Sequence, residues 1–248
     1  VPSEATRAFS GAAPWRTTLG AVVHQYAGNL LAVFAFTTIG VTAGFVLTGF
    51  DIQTLVPPSI GPVAVAPVTD QVAYNRLAVE IALLTGLVTS ALYAAPILAR
   101  HDRVEFRRAR TPFAVAAVCL VVGVLAGRLV VLPLSFELFA EHLVDVDAAV
   151  GPYWLTELAL FFPVGLGVAF AFPALLVGAV RAGLLPRFTT ARHRTCAVIP
   201  FVLFSATHAP ATANTFVLYA APLLVGLGVG VAYLEFVDSN SARRHGVE

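Results

Sequence analysis

The sequence has no lysine and no methionine, only two cysteines, and little charge of either sign. Asp, Glu, Lys and Arg together make up 12% of it, where soluble domains carry about 25%. So few charges cannot cover the surface of a soluble fold of 248 residues. The two cysteines, Cys119 and Cys196, lie 77 positions apart in apolar runs. That excludes a disulfide framework and a cysteine-based zinc site. The formal net charge of +1 provides no basic field for nucleic acid. HExxH, GxSxG and P-loop motifs are also missing, and His193 and His208 are isolated, so neither a catalytic constellation nor a cofactor is expected.

What the chain does have is apolar length. Hydrophobic residues make up 58%, and mean hydropathy is +0.84. A helix crossing a hydrocarbon core of about 30 Å needs about 20 apolar residues. Five runs qualify: 29–50, 81–99, 112–136 (interrupted by Arg128), 158–180, and 195–234, the last without a single Asp, Glu, Lys or Arg. Its middle, His208-Ala209-Pro210-Ala211-Thr212-Ala213-Asn214-Thr215, reads as a turn and splits the run in two. The expectation is an all-α integral membrane protein in one polytopic domain over residues 1–248. Its six helices are placed near 29–50, 77–99, 112–136, 154–181, 195–209 and 215–236. The fifth would be only about 22 Å long, too short for an average bilayer.

Arginine placement predicts the orientation. With six spans, thirteen of the fifteen arginines fall on the side that holds both termini, and Arg76 and Arg128 are the exceptions. The opposite loops carry Asp51, Asp70, Glu137, Glu141, Asp145 and Asp147. The positive-inside rule therefore puts both termini in the cytoplasm. The first 28 residues are polar and rich in Ala and Gly, and the apolar run after them is too long for the core of a cleavable signal.

Four features rise above apolar filler. The loop Arg100-His101-Asp102-Arg103-Val104-Glu105-Phe106-Arg107-Arg108-Ala109-Arg110 needs its arginines for topology but not its two acids. Asp102 and Glu105 could take a guanidinium in a bidentate pair. Glu80, Arg128 and Glu157 each lie within a few turns of the outer end of a helix. Ionisable groups in a bilayer face the bundle interior and pair, so an Arg128–carboxylate bridge joining helices two, three and four is expected. Prolines inside spans, among them Pro133, Pro173 and Pro222, predict kinked helices. GxxxG pairs at Gly40/Gly44, Gly123/Gly127 and Gly226/Gly230 predict close helix packing or the docking of a partner helix.

From about Val104 to Phe236, and best from Leu129 on, the chain resembles TatC, the six-helix receptor subunit of the twin-arginine protein translocase. Leu129-Val130-Val131-Leu132-Pro133-Leu134-Ser135-Phe136 is similar to the family's VxxPL-type end of helix three. Phe170-Ala171-Phe172-Pro173 sits at its Phe-x-x-Pro in helix four, Gly183 with Arg192 and Arg194 at its turn and basic loop, and Pro210 and Pro222 around its last turn. The resemblance is to a divergent member. The segment Val23-His24-Gln25-Tyr26-Ala27-Gly28-Asn29 lacks the family's Glu and Arg, the helix-four acid falls on Ala171, and the acid after helix five falls on Thr212.

What the resemblance implies is a concave bundle with short helices five and six, and binding rather than chemistry. Glu105, helped by Asp102, would bind the two guanidiniums of twin-arginine signal peptides, and the protein would help export folded proteins across the cytoplasmic membrane. Single-span TatA/TatB-like subunits, the lipid bilayer and a second copy of the chain would be its partners. Two other readings stay open on the residues alone. One is a small-solute transporter or channel component, with Arg128, Glu80 and Glu157 lining a path. The other is a structural translocase subunit that binds no signal peptide.

Overall fold

The structure is a computed structural model and describes residues 14–56, 59–60, 63–64, 68–100, 104, 106–135, 137, 152–185, 191–208 and 213–245. Six long helices account for nearly all of them: α1 (Pro14–Thr48), α2 (Gln71–Arg100), α3 (Phe106–Ala126), α4 (Pro152–Arg181), α5 (Ala191–His208) and α6 (Ala213–His245). α3 runs on through a π-helical turn, Gly127–Val131, and stays helical to Ser135. Between α1 and α2 lie a 3₁₀ turn, Ile52–Leu55, and a two-residue hairpin pairing Ser59 with Ala64 and Ile60 with Val63.

Among the described residues, five helices are long and apolar enough to cross a membrane: His24–Thr48, Gln71–Arg100, Phe106–Ser135, Leu155–Arg181 and Phe216–Phe236. The apolar part of α5, Val198–His208, is shorter. The helices themselves exceed the apolar windows, because hydropathy marks the stretch that lies in lipid while helical hydrogen bonding continues into polar sequence. α1 begins at Pro14 rather than near residue 29. α6 extends beyond the expected end near residue 236 to His245 and is 33 residues long, while its apolar span, Phe216–Phe236, has 21 residues.

The ends of the α1–α2 connection are capped by identifiable groups. Gly49 takes φ +59°, the left-handed conformation that ends α1 without a Cβ penalty. The Tyr74 hydroxyl reaches back to the carbonyl oxygens of Phe50 (2.7 Å) and Phe45 (3.1 Å). Asp70 accepts hydrogen bonds from the backbone N–H groups of Val72 (3.3 Å) and Ala73 (3.1 Å), an N-cap for α2.

α4 is the centre of the bundle. More than half of its apolar window (56%) lies inside the protein, against none of that of α1. α3 and α6 pack on it closely, and α5 packs on α6. Close approach is achieved with glycine. A β-carbon added at Gly123 would lie 2.8 Å from Gly167 Cα, and one at Gly127 would lie 2.9 Å from Pro163 Cα. One at Gly226 would collide with the Ala169 carbonyl oxygen, and one at Gly230 would lie 3.1 Å from Pro173 Cα. α1 and α2 form a hairpin of their own. Gly86 admits Phe34 and Thr38 of α1, Thr38 Oγ1 donates to the Ala82 carbonyl (3.5 Å), and Ser90 Oγ donates to that of Leu30 (3.4 Å).

Candidate functional site

Polar chemistry concentrates at the two ends of the bundle. At the end that holds the α2–α3 connection, Val104 and Ala109 are buried together with Ala182 in the turn after α4, ringed by Leu98, Phe106, Phe113 and Leu184. The Phe106 N–H donates to the Val104 carbonyl (2.8 Å), and the Phe106 and Phe113 rings stack at 5.6 Å. Gly178 of α4 makes room for the Phe113 ring, which a β-carbon there would meet at 2.8 Å. Gly183, at φ +73°, turns the chain after α4. Arg100, Arg107, Arg108, Arg110 and Arg181 are exposed around this apolar knot. Asp102 and Glu105 lie outside the described residues, although the residues on both sides of Glu105 belong to the knot.

At the opposite end, Arg76 and Glu80 form an ion pair one helical turn apart on α2, Nε to Oε1 2.8 Å. Tyr153, at the start of α4, donates its hydroxyl to the Glu80 carboxylate (3.3 and 3.4 Å), and the Arg76 guanidinium lies 4.9 Å from its ring centroid. Burial, and after it the negative charges of Glu157 and Glu80, push the Tyr153 phenol well above its usual range, so it remains a donor. One turn further along α4, Glu157 is 3% exposed, and its Oε1 has no hydrogen-bond partner. Tyr219 of α6 is equally buried with an unpartnered hydroxyl, and its ring meets Phe162 edge-on at 5.5 Å. Tyr219 belongs to the cluster in which Leu132, Leu155, Leu158 and Phe162 pack.

The expected bridge through Arg128 is not what these residues form. Arg128 sits on the π-helical turn of α3, is exposed, and directs Nη2 to the Leu55 carbonyl oxygen at 3.5 Å. Glu80 takes its cation from its own helix instead, because an i,i+4 neighbour needs no tertiary placement to come within reach. The sequence reading missed Arg76 and Tyr153. The Arg76–Glu80 spacing was the available signal, whereas nothing local links Tyr153 to a side chain 73 positions away.

Pro133, Pro173 and Pro222 all lie within helical segments. Pro133 lies two residues past the π-helical turn, and lacking an N–H it cannot continue the hydrogen-bond ladder there. Pro173 lies in the α4–α6 contact. Of the three GxxxG pairs, Gly123/Gly127 and Gly226/Gly230 are filled by α4, while β-carbons at Gly40 and Gly44 would meet nothing within 4 Å. No group of three or more His, Cys, Asp or Glu among the described residues could hold a metal ion.

Residues 21–222 match the family described as Sec-independent protein translocase protein (TatC). The chain belongs to the TatC family. No curated protein and no solved structure matches it significantly. As a TatC protein it is a multi-pass membrane component of the Sec-independent protein translocase, a translocase subunit and not a typical enzyme. The match takes in the α2–α3 connection, all of α3, α4 and α5, and α6 as far as Pro222. Ala171 of α4 is buried, and the acid that α4 buries, Glu157, lies about four turns away, nearer the opposite end.

Proposed function

We propose that this TatC protein binds twin-arginine signal peptides at the α2–α3 connection, with Glu105 as the principal carboxylate and Asp102 as its helper. What supports the reading is the packing of Val104 and Phe106, the chain neighbours of residue 105, against the turn after α4. Each exposed guanidinium–carboxylate pair contributes about 1 kcal/mol or less, so recognition takes several contacts. The arginines around the knot disfavour cationic peptides that do not place their guanidiniums on the two acids.

In this reading both termini are cytoplasmic, and the arginine-rich end faces the cytoplasm. The apolar part of the signal lies along the helices, and TatA/TatB-like single-span subunits dock at the α5–α6 edge, where the short α5 favours a thinned bilayer. A solute pathway is disfavoured by the contact between backbones in α3, α4 and α6, which closes the centre of the bundle with apolar side chains.

Photo-crosslinking from positions next to 105, in membranes, with a twin-arginine precursor and its Lys-Lys variant tests the proposal. The expected result is a crosslink that requires the arginine pair and disappears with Glu105→Ala. A crosslink indifferent to both changes, or none from a folded and inserted protein, would leave a structural translocase subunit.

A further inference from the structure

Arg128 is a charged side chain in an otherwise lipid-facing stretch. Its neighbours Leu129 and Val130 are 67% and 58% exposed, as residues that face acyl chains are. It lies about 10 Å from the end of the α3 span at Ser135, at 1.5 Å per residue. A guanidinium at that depth is costly unless it reaches the interface and finds an anion. The Leu55 carbonyl can satisfy one of its five N–H donors. No described carboxylate forms an ion pair with it.

Leu55 connects this cation to a second feature. Together with Val41, Gly44, Phe45, Thr48 and Phe50 it lines an open groove of about 320 Å³ at the end of α1, and the walls are almost wholly apolar. Gly44 leaves the α1 wall of the groove open, since a β-carbon there would meet nothing within 4 Å. Thr48 adds no free donor to it, since its hydroxyl is turned to the Gly44 carbonyl (2.6 Å). Ile52 and Val56, both buried, fix the 3₁₀ turn that carries Leu55.

We infer that Arg128 and the Gly44 groove together form a binding site for one membrane phospholipid, the guanidinium taking the phosphodiester and the groove an acyl chain. The charge selects the occupant. A partner helix would fill the groove without needing the cation that contacts Leu55, and a neutral lipid would leave the guanidinium unpaired. A phosphodiester presents two oxygens to the remaining N–H donors in the bidentate geometry arginine favours. The α1 wall of the groove runs from Thr48 back to Val41, about 10 Å along the helix axis, a length that suits part of an acyl chain. The site belongs to the leaflet bordering the α1–α2 connection and is independent of the signal-peptide reading.

Native mass spectrometry of the full chain, released from mixed micelles and washed to the last retained lipid, tests this. The comparison is between phosphatidylglycerol and a digalactosyl lipid with the same acyl chains and no phosphate. The wild type is expected to retain one phosphatidylglycerol and no glycolipid. Arg128→Gln should lower that retention about ten-fold, with Arg128→Lys in between. Gly44→Leu should abolish retention by filling the groove, and Gly44→Ala, which leaves most of it open, should not. Equal retention of the two lipids, or retention unchanged in Arg128→Gln and Gly44→Leu, would overturn the inference. So would displacement of the lipid by millimolar inorganic phosphate, which would make this a site for the free anion. Arg128→Lys and Gly44→Ala keep the test decisive should either stronger variant fail to fold.

Discussion

Gly123 of α3 and Gly167 of α4 meet backbone to backbone, so closely that a β-carbon on Gly123 would lie 2.8 Å from Gly167 Cα. In lipid, where burying apolar surface adds little to association, such contact is a main source of helix–helix adhesion. Gly123→Val should therefore destabilise the protein by about 1–3 kcal/mol through overpacking. Gly40→Ala, where the new methyl meets nothing, should stay within about 0.5 kcal/mol of wild type. Unfolding in mixed detergent and SDS checks both. Equal losses would mean that the α3–α4 contact is looser than its geometry.

The network around Glu80 can be separated by double-mutant cycles. Tyr153→Phe and Glu80→Gln disrupt the same hydrogen bond, so their effects should couple by about 0.5–1.5 kcal/mol. Arg128→Gln and Glu80→Gln touch different partners and should add to within about 0.5 kcal/mol. Coupling in the second pair and none in the first would restore the bridge through Arg128.

The sequence made the spans legible because a bilayer imposes one simple demand, apolar length. It also yielded the family, through Pro133, Pro173 and their neighbours in order. It did not yield the ends of α1 and α6, since polar sequence such as Ser239-Asn240-Ser241 remains helical outside the lipid. Nor did it tell which GxxxG pair is filled. The motif records that a backbone can be approached, and only the tertiary arrangement decides that α4 approaches Gly123 and Gly226 but leaves Gly40 open. Arg128 was assigned to the wrong partner for a similar reason. Depth in the membrane predicts that a charge needs a partner, not which face of its helix it occupies.

Glu157 has an unpartnered Oε1 beneath the Tyr153 network. A buried carboxylate oxygen without a donor carries its desolvation cost uncompensated. Glu157→Gln, similar in shape and without the charge, should raise stability by about 1 kcal/mol. Glu157→Ala, which leaves a void beside Leu158, should lower it. Thermal unfolding of both variants is the check. A loss in Glu157→Gln as large as in Glu157→Ala would show that the carboxylate is satisfied by a group from outside the described residues.

Phe106 provides a test of the proposed signal-peptide site that leaves the acids untouched. It stacks on Phe113 and closes the apolar knot around Val104. Phe106→Ala should loosen the knot at a local cost of about 1 kcal/mol, weakening the arginine-dependent crosslink near position 105 about five-fold. The spans would stay intact, because the knot lies at the end of the bundle. An unchanged crosslink would separate signal binding from the knot.

The length of α5 leads to a final prediction about the membrane itself. Val198–His208, its apolar part, is 11 residues long and spans about 16 Å, roughly half of a 30 Å hydrocarbon core. The bilayer can thin there, or water can enter beside the helix, and both bring aqueous reagents close to its two ends. Single cysteines at positions 198 and 207, in a chain with Cys119 and Cys196 replaced by Ser, report on this. Both should react with a membrane-impermeant maleimide, each from the opposite side of a sealed vesicle, although about 14 Å of helix separates them. Cysteines placed the same distance apart in the middle of α4 should not react at all. Lengthening the lipid acyl chains should slow labelling at 198 and 207 together. If one position labels and the other stays protected in every lipid, α5 enters the membrane from one side only, and thinning is no part of how its edge is presented to a partner.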